Sequence, residues 1–276
     1  MITSFKLFES NLEIAWPAKI CKNLGIKNFQ IVDGLVNVNG DVNISGRKLT
    51  KIPVKFGRVE GNFDCHSNQL TSLEGSPQSV GGGFYCQNNQ LTHLEGGPRI
   101  VGRNFYCSNN QLTHLEGSPQ SVGGGFYCHN NQLTHLEGAP RSVGGGFGCI
   151  NNQLTSLEGS PQSVGGHFYC HNNKLITLEG APRSVGGNFD CHNGQLTSFR
   201  GIPEYSLNEN QEFYCEENPI FEIYKLFNAP KCIDLINEYE VIGDGVISRV
   251  RLEEVFVELG MEVPKNLEFK NYKLVG

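Results

Sequence analysis

The sequence predicts a β-rich solenoid, an elongated stack of short coils, with a separate cap at each end. Three observations support this fold class. A 21-residue unit recurs through the middle of the 276-residue chain, glycine is abundant at 34 residues, and charged residues are only 18% of the composition. A fixed repeat period of roughly 20 to 50 residues is typical of a solenoid, in which each coil buries its apolar side chains against its neighbours.

The repeat unit reads G-x-F-x-C-x-x-N-x-L-T-x-L-E-G-x-P-x-x-V-G, in seven copies that run from Gly61 to about Glu204. A degenerate copy comes before them, with these apolar residues at the corresponding positions: Val42, Ile44, Leu49 and Ile52. A half-copy, EFYCEENPI, follows at residues 212–220. The pattern therefore predicts about eight coils and a half coil.

Within each unit, the F-x-C segment predicts a short strand. Side chains alternate along a strand, so Phe and Cys point into the coil and the residue between them points out. Coils that stack in register then form ladders of equivalent residues about 4.8 Å apart. We expect the Asn of N-x-L to bond backbone groups of its own and neighbouring coils, at a corner that would otherwise leave amides unpaired.

One cysteine occurs in each repeat, and no second cysteine in the repeat is available to pair with it. The repeat cysteines are Cys65, Cys86, Cys107, Cys128, Cys149, Cys170 and Cys191. Neighbouring parallel strands offer poor disulfide geometry, and a single row of thiols does not surround a metal ion. The spacing predicts buried, reduced, core-filling cysteines and fits a reducing compartment.

The segment FYCQNNQL, with Phe84, Cys86, Asn89 and Leu91, resembles the leucine-rich-repeat core L-x-L-x-x-N-x-L. It looks closest to the short 20–22-residue class of secreted bacterial effectors, although Phe–Cys replaces the aliphatic pair and L-E-G replaces L-P. The segment GNFDCHSNQLTSLEG is similar to the repeats of leucine-rich-repeat proteins of T4-like tailed bacteriophages. The resemblance covers roughly residues 30–276. It implies parallel strands on a concave, partner-binding face and an extended convex side.

The ends of the chain differ from the repeats and predict caps. Residues 1–39 are expected to form an N-terminal cap, with a hairpin at Asp33-Gly34 and a short helix within residues 4–23 that is interrupted near Pro17. The solenoid is expected to cover residues 40–218. Residues 219–276 show apolar spacings of three and four, which predict a helical C-terminal cap of two or three helices.

Composition and motifs argue against several classes of function. The net charge of −6 leaves no basic stripe for nucleic acid, and no apolar stretch is long enough for a membrane span. The N-terminus lacks the apolar core of a secretory signal. No common catalytic or phosphate-binding motif occurs, so we expect no enzyme activity, no cofactor and no bound metal.

The residues that flank Phe and Cys form the candidate protein-binding surface, because tyrosine recurs there and is enriched at interface hot spots. The candidate binding residues are Tyr85, Tyr106, Tyr127, Gly148, Ile150, Tyr169, His129, His171 and Asp190. Gly148 and Ile150 break the pattern and predict a notch that accepts a side chain of the partner. Two alternatives remain open: the tyrosines only stack on one another, or the C-terminal helices, with Glu253 and Glu254, bind the partner instead.

Two rows on the return side of the coil are interpreted as exposed surface. A row of glutamates lacks the turn-supplied oxygens of a calcium site. The second row, His93, His114 and His135, could bring imidazoles together at a metal, but solvated surface is the preferred interpretation.

These observations predict a non-enzymatic protein-binding module. The phage resemblance implies a protein in the cytoplasm of an infected bacterium, which binds or inhibits a host protein such as a defence protein, and we separately expect it to be a monomer. The alternative is a structural or packaged virion protein. The tripeptide Leu7-Phe8-Glu9 is similar to prohead-protease cleavage sites and is a candidate processing site.

Overall fold

The computed structural model describes residues 16–202, 211–227, 231–243 and 245–276. In these residues the chain is a solenoid of parallel strands, preceded by a hairpin and followed by helices. Residues 16–23 are helical (α1), whereas the rest of the expected N-terminal helix and the candidate processing site lie outside the described residues. The β-rich solenoid predicted from the repeat is confirmed.

The F-x-C segments form the first sheet, in which nine parallel strands of the described chain follow one another coil by coil. Its strands are β3 (Val42–Asn43), β5 (Phe63–Asp64), β7 (Phe84–Tyr85), β9 (Phe105–Tyr106), β11 (Phe126–Tyr127), β13 (Phe147–Gly148), β15 (Phe168–Tyr169), β17 (Phe189–Asp190) and β18 (Phe213–Tyr214). From β5 to β18, each Phe lies opposite the Phe of the next coil. The 21-residue period therefore sets the register from β5 to β17, and the last pair, Phe189 and Phe213, keeps it across 24 residues.

The return side of each coil contributes a second sheet, which the sequence indicated only as an extended stretch. Its strands are β1 (Phe29–Val32), β2 (Leu35–Val38), β4 (Phe56–Val59), β6 (Ser79–Val80), β8 (Ile100–Val101), β10 (Ser121–Val122), β12 (Ser142–Val143), β14 (Ser163–Val164) and β16 (Ser184–Val185). Beyond the antiparallel β1–β2 hairpin, its neighbouring strands are parallel. Each coil is thus a flattened loop closed by two strands.

The core between the two sheets repeats the same five apolar positions: Phe and Cys, the two Leu, and the Val of the return strand. In the coil that begins at β9 these are Phe105, Cys107, Leu112, Leu115 and Val122, and all are buried. The Phe rings from β5 to β17 stack in one column, with centroids 5.0 to 5.5 Å apart. Burial of each such side chain stabilises the fold by about 1.5 to 3 kcal/mol, so the coils are held mainly by their ladders.

The second asparagine of each N-N pair joins two coils, as the sequence predicted. Asn110 Oδ1 accepts a hydrogen bond from the Leu91 amide at 3.0 Å, and Nδ2 donates to the carbonyls of Cys86 and Cys107, each at 3.1 Å. The first asparagine, Asn109, has a φ of 55°, a left-handed conformation that asparagine tolerates better than most residues. One asparagine therefore turns the chain and the other pairs the backbone groups that the turn leaves open.

The thiols are buried and not in disulfides, as predicted, while their reduced state and the reducing compartment stay predictions. All ten cysteines are free and buried. Burial raises the pKa of the repeat thiols, because the thiolate would be desolvated. The sequence did not predict that a thiol also donates to the next coil, as Cys86 Sγ does to the carbonyl of Tyr106 at 3.3 Å.

Close approach of the coils needs glycine at the V-G corner. A Cβ at Gly123 would collide with the carbonyl oxygen of Gly102 in the preceding coil. Any side chain there would push two coils apart, so glycine at this corner preserves the coil spacing.

The N-terminal hairpin forms where it was predicted. β1 pairs with β2 across Asp33 and Gly34, which have φ values of 50° and 74°. Positive φ at both central residues is the type I′ arrangement that suits the twist of a two-residue hairpin. Its second strand, β2, then pairs with β4 and begins the second sheet.

The C-terminal cap contains three helices in the described residues, α2 (Phe221–Phe227), α3 (Lys231–Glu238) and α4 (Arg249–Glu258). It also contains a small sheet that the sequence did not predict, formed by β19 (Ile242–Gly243), β20 (Val246–Ser248) and β21 (Lys273–Val275). The Tyr272 hydroxyl donates to the Thr197 carbonyl at 3.1 Å, and the Tyr224 ring packs edge-on against Phe213 and Phe199. The cap therefore covers the last coil, while the exact domain boundaries at residues 39 and 218 stay a prediction.

Candidate functional site

The tyrosine face is the outer surface of the first sheet, formed by the residues that follow each Phe and each Cys. Three of its tyrosines form a continuous stack: Tyr85 and Tyr106 have ring centroids 5.4 Å apart, and Tyr106 and Tyr127 4.8 Å. The rings are half-buried and lie back along their strands, so that Asn104 Nδ2 donates to the Tyr106 hydroxyl at 3.3 Å. Burial raises the pKa of the Tyr127 phenol, which the neighbouring tyrosines raise further. The stacking that the sequence left open as an alternative is therefore present, and the half-buried rings keep part of their surface exposed, while a binding role for them stays a prediction.

The expected notch at Gly148 is not open, and that prediction is wrong. Gly148 is buried, and a Cβ there would lie within 3.0 Å of ring atoms of His129. The imidazole of His129 leans from the preceding coil into the space that a tyrosine would fill, and lies 5.6 Å from the Tyr127 ring. The sequence gives no signal of this, because the lean of the row towards the next coil is visible only in the structure, as in the Ser108 hydroxyl that donates to the Tyr127 carbonyl at 3.1 Å.

The position of His129 alters its acid–base chemistry. Its Nδ1 is buried and makes no hydrogen bond. Burial, and to a smaller extent charge repulsion from the nearby His171, lower the pKa of His129 to about 4. At neutral pH, His129 is therefore an uncharged aromatic filler of the tyrosine row.

Tyr169 lies beyond this break, and its ring stacks on none of the other tyrosines in the described residues. Its ring is tilted against His167 at 5.6 Å and meets the edge of His171 at 6.5 Å. Ile150 is half-buried between the coils of His129 and His171. The predicted binding residues therefore form two groups, a tyrosine stack and a histidine-rich end.

Asp190 organises the histidine-rich end. Its Oδ1 lies 2.6 Å from His192 Nδ1 and accepts from the His192 amide at 3.2 Å, and its Oδ2 lies 3.1 Å from His171 Nδ1. The two imidazole rings stack with centroids 4.2 Å apart. Burial lowers the pKa of His171, which Asp190 partly opposes.

Sequence reasoning placed His171 and Asp190 in the site but left out His192. The missed signal is the spacing Asp-Cys-His, which puts the carboxylate and the imidazole on one face of a strand. The same spacing at the other end of the row brings His66 Nδ1 to 2.5 Å from Asp64 Oδ1.

Histidines on the return side are not fully solvated, contrary to the sequence interpretation. The Nδ1 atoms of His93, His114 and His135 are buried and have no hydrogen-bond partner. Among the described residues, however, the cluster whose donor atoms all lie within 4.8 Å of one another is His171, Asp190 and His192.

The alternative binding surface on the C-terminal cap lies on α4. Val250, Glu254 and Val257 are exposed and fall on one side of the helix, at spacings of four and three. Glu253 is half-buried and bound to Arg249 Nε at 2.8 Å. Glu254 is therefore the better probe of this surface, because changing Glu253 would also break an ion pair.

None of the helices described is both long and apolar enough to cross a membrane.

Comparison with known proteins finds no matching family model and no matching curated protein. Among solved structures, the chain is similar to YopM, a leucine-rich effector protein from Yersinia pestis, with 25% sequence identity and a TM-score of 0.47 over 64% of this chain. It is also similar to YopM from Yersinia enterocolitica, with 16% identity and a TM-score of 0.31 over 64% of this chain. The chain spans 49% and 56% of the lengths of these two proteins.

Proposed function

We propose that this protein is a non-enzymatic binding module whose tyrosine face contacts a protein partner. The observation that carries the proposal is the stack of Tyr85, Tyr106 and Tyr127 on one face of a regular sheet. Tyrosine offers a large apolar ring and a polar hydroxyl, and it is enriched among the residues that dominate binding energy.

The stack is also well prepared for binding. Its rings are held by their neighbours and by backbone pairing below them, so little side-chain freedom is lost when a partner docks. The solenoid extends this surface across successive coils, which suits an elongated protein partner. The net charge of −6 disfavours nucleic acid as that partner.

The proposed setting follows from the sequence resemblance to phage leucine-rich-repeat proteins. In this proposal the protein acts as a monomer in the cytoplasm of an infected bacterium and binds or inhibits a host protein, such as a defence protein. The similarity of the repeat sequence to those phage proteins supports this setting. Detection of the protein in purified phage particles would favour the alternative, a structural or packaged virion protein.

The test compares one substitution on each surface. Tyr106→Asp introduces a residue that the same row already carries at Asp64 and Asp190, so the coil should still fold. Glu254→Lys changes the exposed face of α4 and leaves the Arg249–Glu253 pair intact.

Proteins from a bacterial lysate that bind the wild type are purified, and their affinity for each variant is measured by calorimetry. We expect Tyr106→Asp to weaken binding by about 2 kcal/mol or more, the scale of a hot spot, and Glu254→Lys to leave it unchanged. Weaker binding by Glu254→Lys together with unchanged binding by Tyr106→Asp would assign the contact to the C-terminal cap. A partner that binds both variants like the wild type contradicts the proposal.

A further inference from the structure

The histidine-rich end of the tyrosine face gathers three side chains that can donate to a metal ion. Parallel pairing of β15 with β17 sets Tyr169 opposite Asp190, which brings His171 of one coil beside Asp190 and His192 of the next. The donor atoms of these three residues all lie within 4.8 Å of one another. None of the three is fully exposed: the side chains of His171, Asp190 and His192 keep 17%, 14% and 36% of their accessible surface.

One of the three donors lies in a strand, and the two histidines lie two residues beyond the ends of β15 and β17, where the backbones of the two coils still pair through the Asn172 amide and the His192 carbonyl at 3.3 Å. Asp190 is in β17, and the amide of His192 donates to its Oδ1 at 3.2 Å. The His171 ring is stacked on the His192 ring at 4.2 Å. A donor on a regular element keeps a more fixed geometry than a donor on a loop, which applies here to Asp190.

One nitrogen of this cluster is poorly satisfied. Within the described residues, buried His171 Nδ1 makes no well-directed hydrogen bond, although it lies 3.1 Å from Asp190 Oδ2, within ion-pair distance. A buried polar atom without a partner lowers stability, so its presence calls for an explanation. A cation held between the imidazoles and the carboxylate would engage this nitrogen.

We propose that His171, Asp190 and His192 form a binding site for a divalent transition metal, with Zn²⁺ as the probe ion. Two imidazoles and a carboxylate suit zinc and its neighbours in the series, whereas calcium and magnesium prefer oxygen donors. Bonds of about 2.0 to 2.1 Å in a tetrahedron place donors about 3.3 Å apart. Asp190 lies 2.6 Å from His192 Nδ1 and 3.1 Å from His171 Nδ1, and the three donors lie within 4.8 Å of one another, a cluster compact enough for one ion.

Three protein donors leave the fourth tetrahedral position for water or for a donor from a partner. A metal ion binds an imidazole nitrogen that carries no proton, so protonation of the imidazoles competes with the metal and the site is expected to bind more weakly in acid. The proposal does not depend on the proposed function, because the metal can bind without any partner.

The chain contains its own control for this site. Asp64 and His66 repeat the Asp-Cys-His spacing, with Nδ1 and Oδ1 2.5 Å apart and the His66 amide donating to Oδ1 at 3.1 Å. The neighbouring coils place Ser45 and Gln87 in this row, so no second imidazole completes the group. A two-donor site should bind zinc much more weakly than a three-donor site.

The test is titration of the full-length protein with Zn²⁺ alone by calorimetry, together with the visible spectrum of the Co²⁺ form. We expect one ion per wild-type chain and a Co²⁺ spectrum without thiolate charge-transfer bands. His171→Gln and Asp190→Asn should each weaken binding about tenfold or more, while His66→Gln should leave it unchanged. Glutamine is already present in this row at Gln87, and thermal melting checks that each variant folds.

Several results would overturn the proposal. These are no Zn²⁺ binding by the folded wild type, equal binding by wild type and His171→Gln, thiolate bands that assign the ion to cysteine, or an equal loss of affinity in His66→Gln.

Discussion

The packing of His129 over Gly148 predicts a strong coupling between these two positions. Gly148→Tyr restores the repeat consensus, but the new side chain would occupy the space of the His129 ring, since even its Cβ would lie within 3.0 Å of ring atoms. Overpacking of a filled site destabilises a protein by about 1 to 3 kcal/mol, and we expect about 2 kcal/mol for Gly148→Tyr.

Gly148→Tyr is the first substitution of a double-mutant cycle, and the second substitution replaces His129. His129→Ser removes a half-buried ring and should cost about 1 kcal/mol on its own. The double variant His129→Ser with Gly148→Tyr reproduces the arrangement of Ser108 and Tyr127 one coil earlier, where the serine hydroxyl donates to the tyrosine carbonyl at 3.1 Å. The new tyrosine can also join the stack beside Tyr127, which is worth about 0.5 to 1.5 kcal/mol.

The double variant should therefore be close to wild type, although its two parts would sum to a loss of about 3 kcal/mol. Urea unfolding, followed by far-ultraviolet circular dichroism, gives the free energies of unfolding of the wild type, the two single variants and the double variant. A double variant whose loss equals that sum within about 0.5 kcal/mol would show that the two side chains do not share one space, and would refute the packing argument.

Two further predictions concern single side chains. Asn131→Ala removes the acceptor of the Leu112 amide and a donor to two buried carbonyls, so urea unfolding should show a loss of about 3 kcal/mol or more in the free energy of unfolding. The control Asn130→Gly changes an exposed residue with a φ of 54°, which glycine adopts readily, and should cost under about 1 kcal/mol. Similar losses in the two variants would contradict the buried role of Asn131. Because the pKa of His129 is near 4 when folded and 6.5 when unfolded, the unfolded state takes up the proton first as the pH falls. Stability should drop by at most about 2 kcal/mol more in wild type than in His129→Gln between pH 8 and pH 5, and parallel pH profiles would contradict this.

The sequence alone determined the solenoid, its core and its corners. These features repeat every 21 residues, so one local rule, such as the inward Phe and Cys or the bridging Asn110, applies to every coil and is visible in the pattern. The Asp33-Gly34 hairpin was equally predictable, because a two-residue turn with positive φ depends on adjacent residues only.

The tertiary structure decided what happens where the repeat is broken. The sequence shows that Gly148 lacks a tyrosine, but only the packing of neighbouring coils shows that His129 fills the gap. In the same way, Asp190 and His192 are close in sequence, while His171 joins them through the stacking of coils, and β20 pairs with β21 across α4 in the small sheet of the cap. Such contacts depend on the direction in which each side chain leans and on which coil lies beside it, and a linear pattern of residues does not record either.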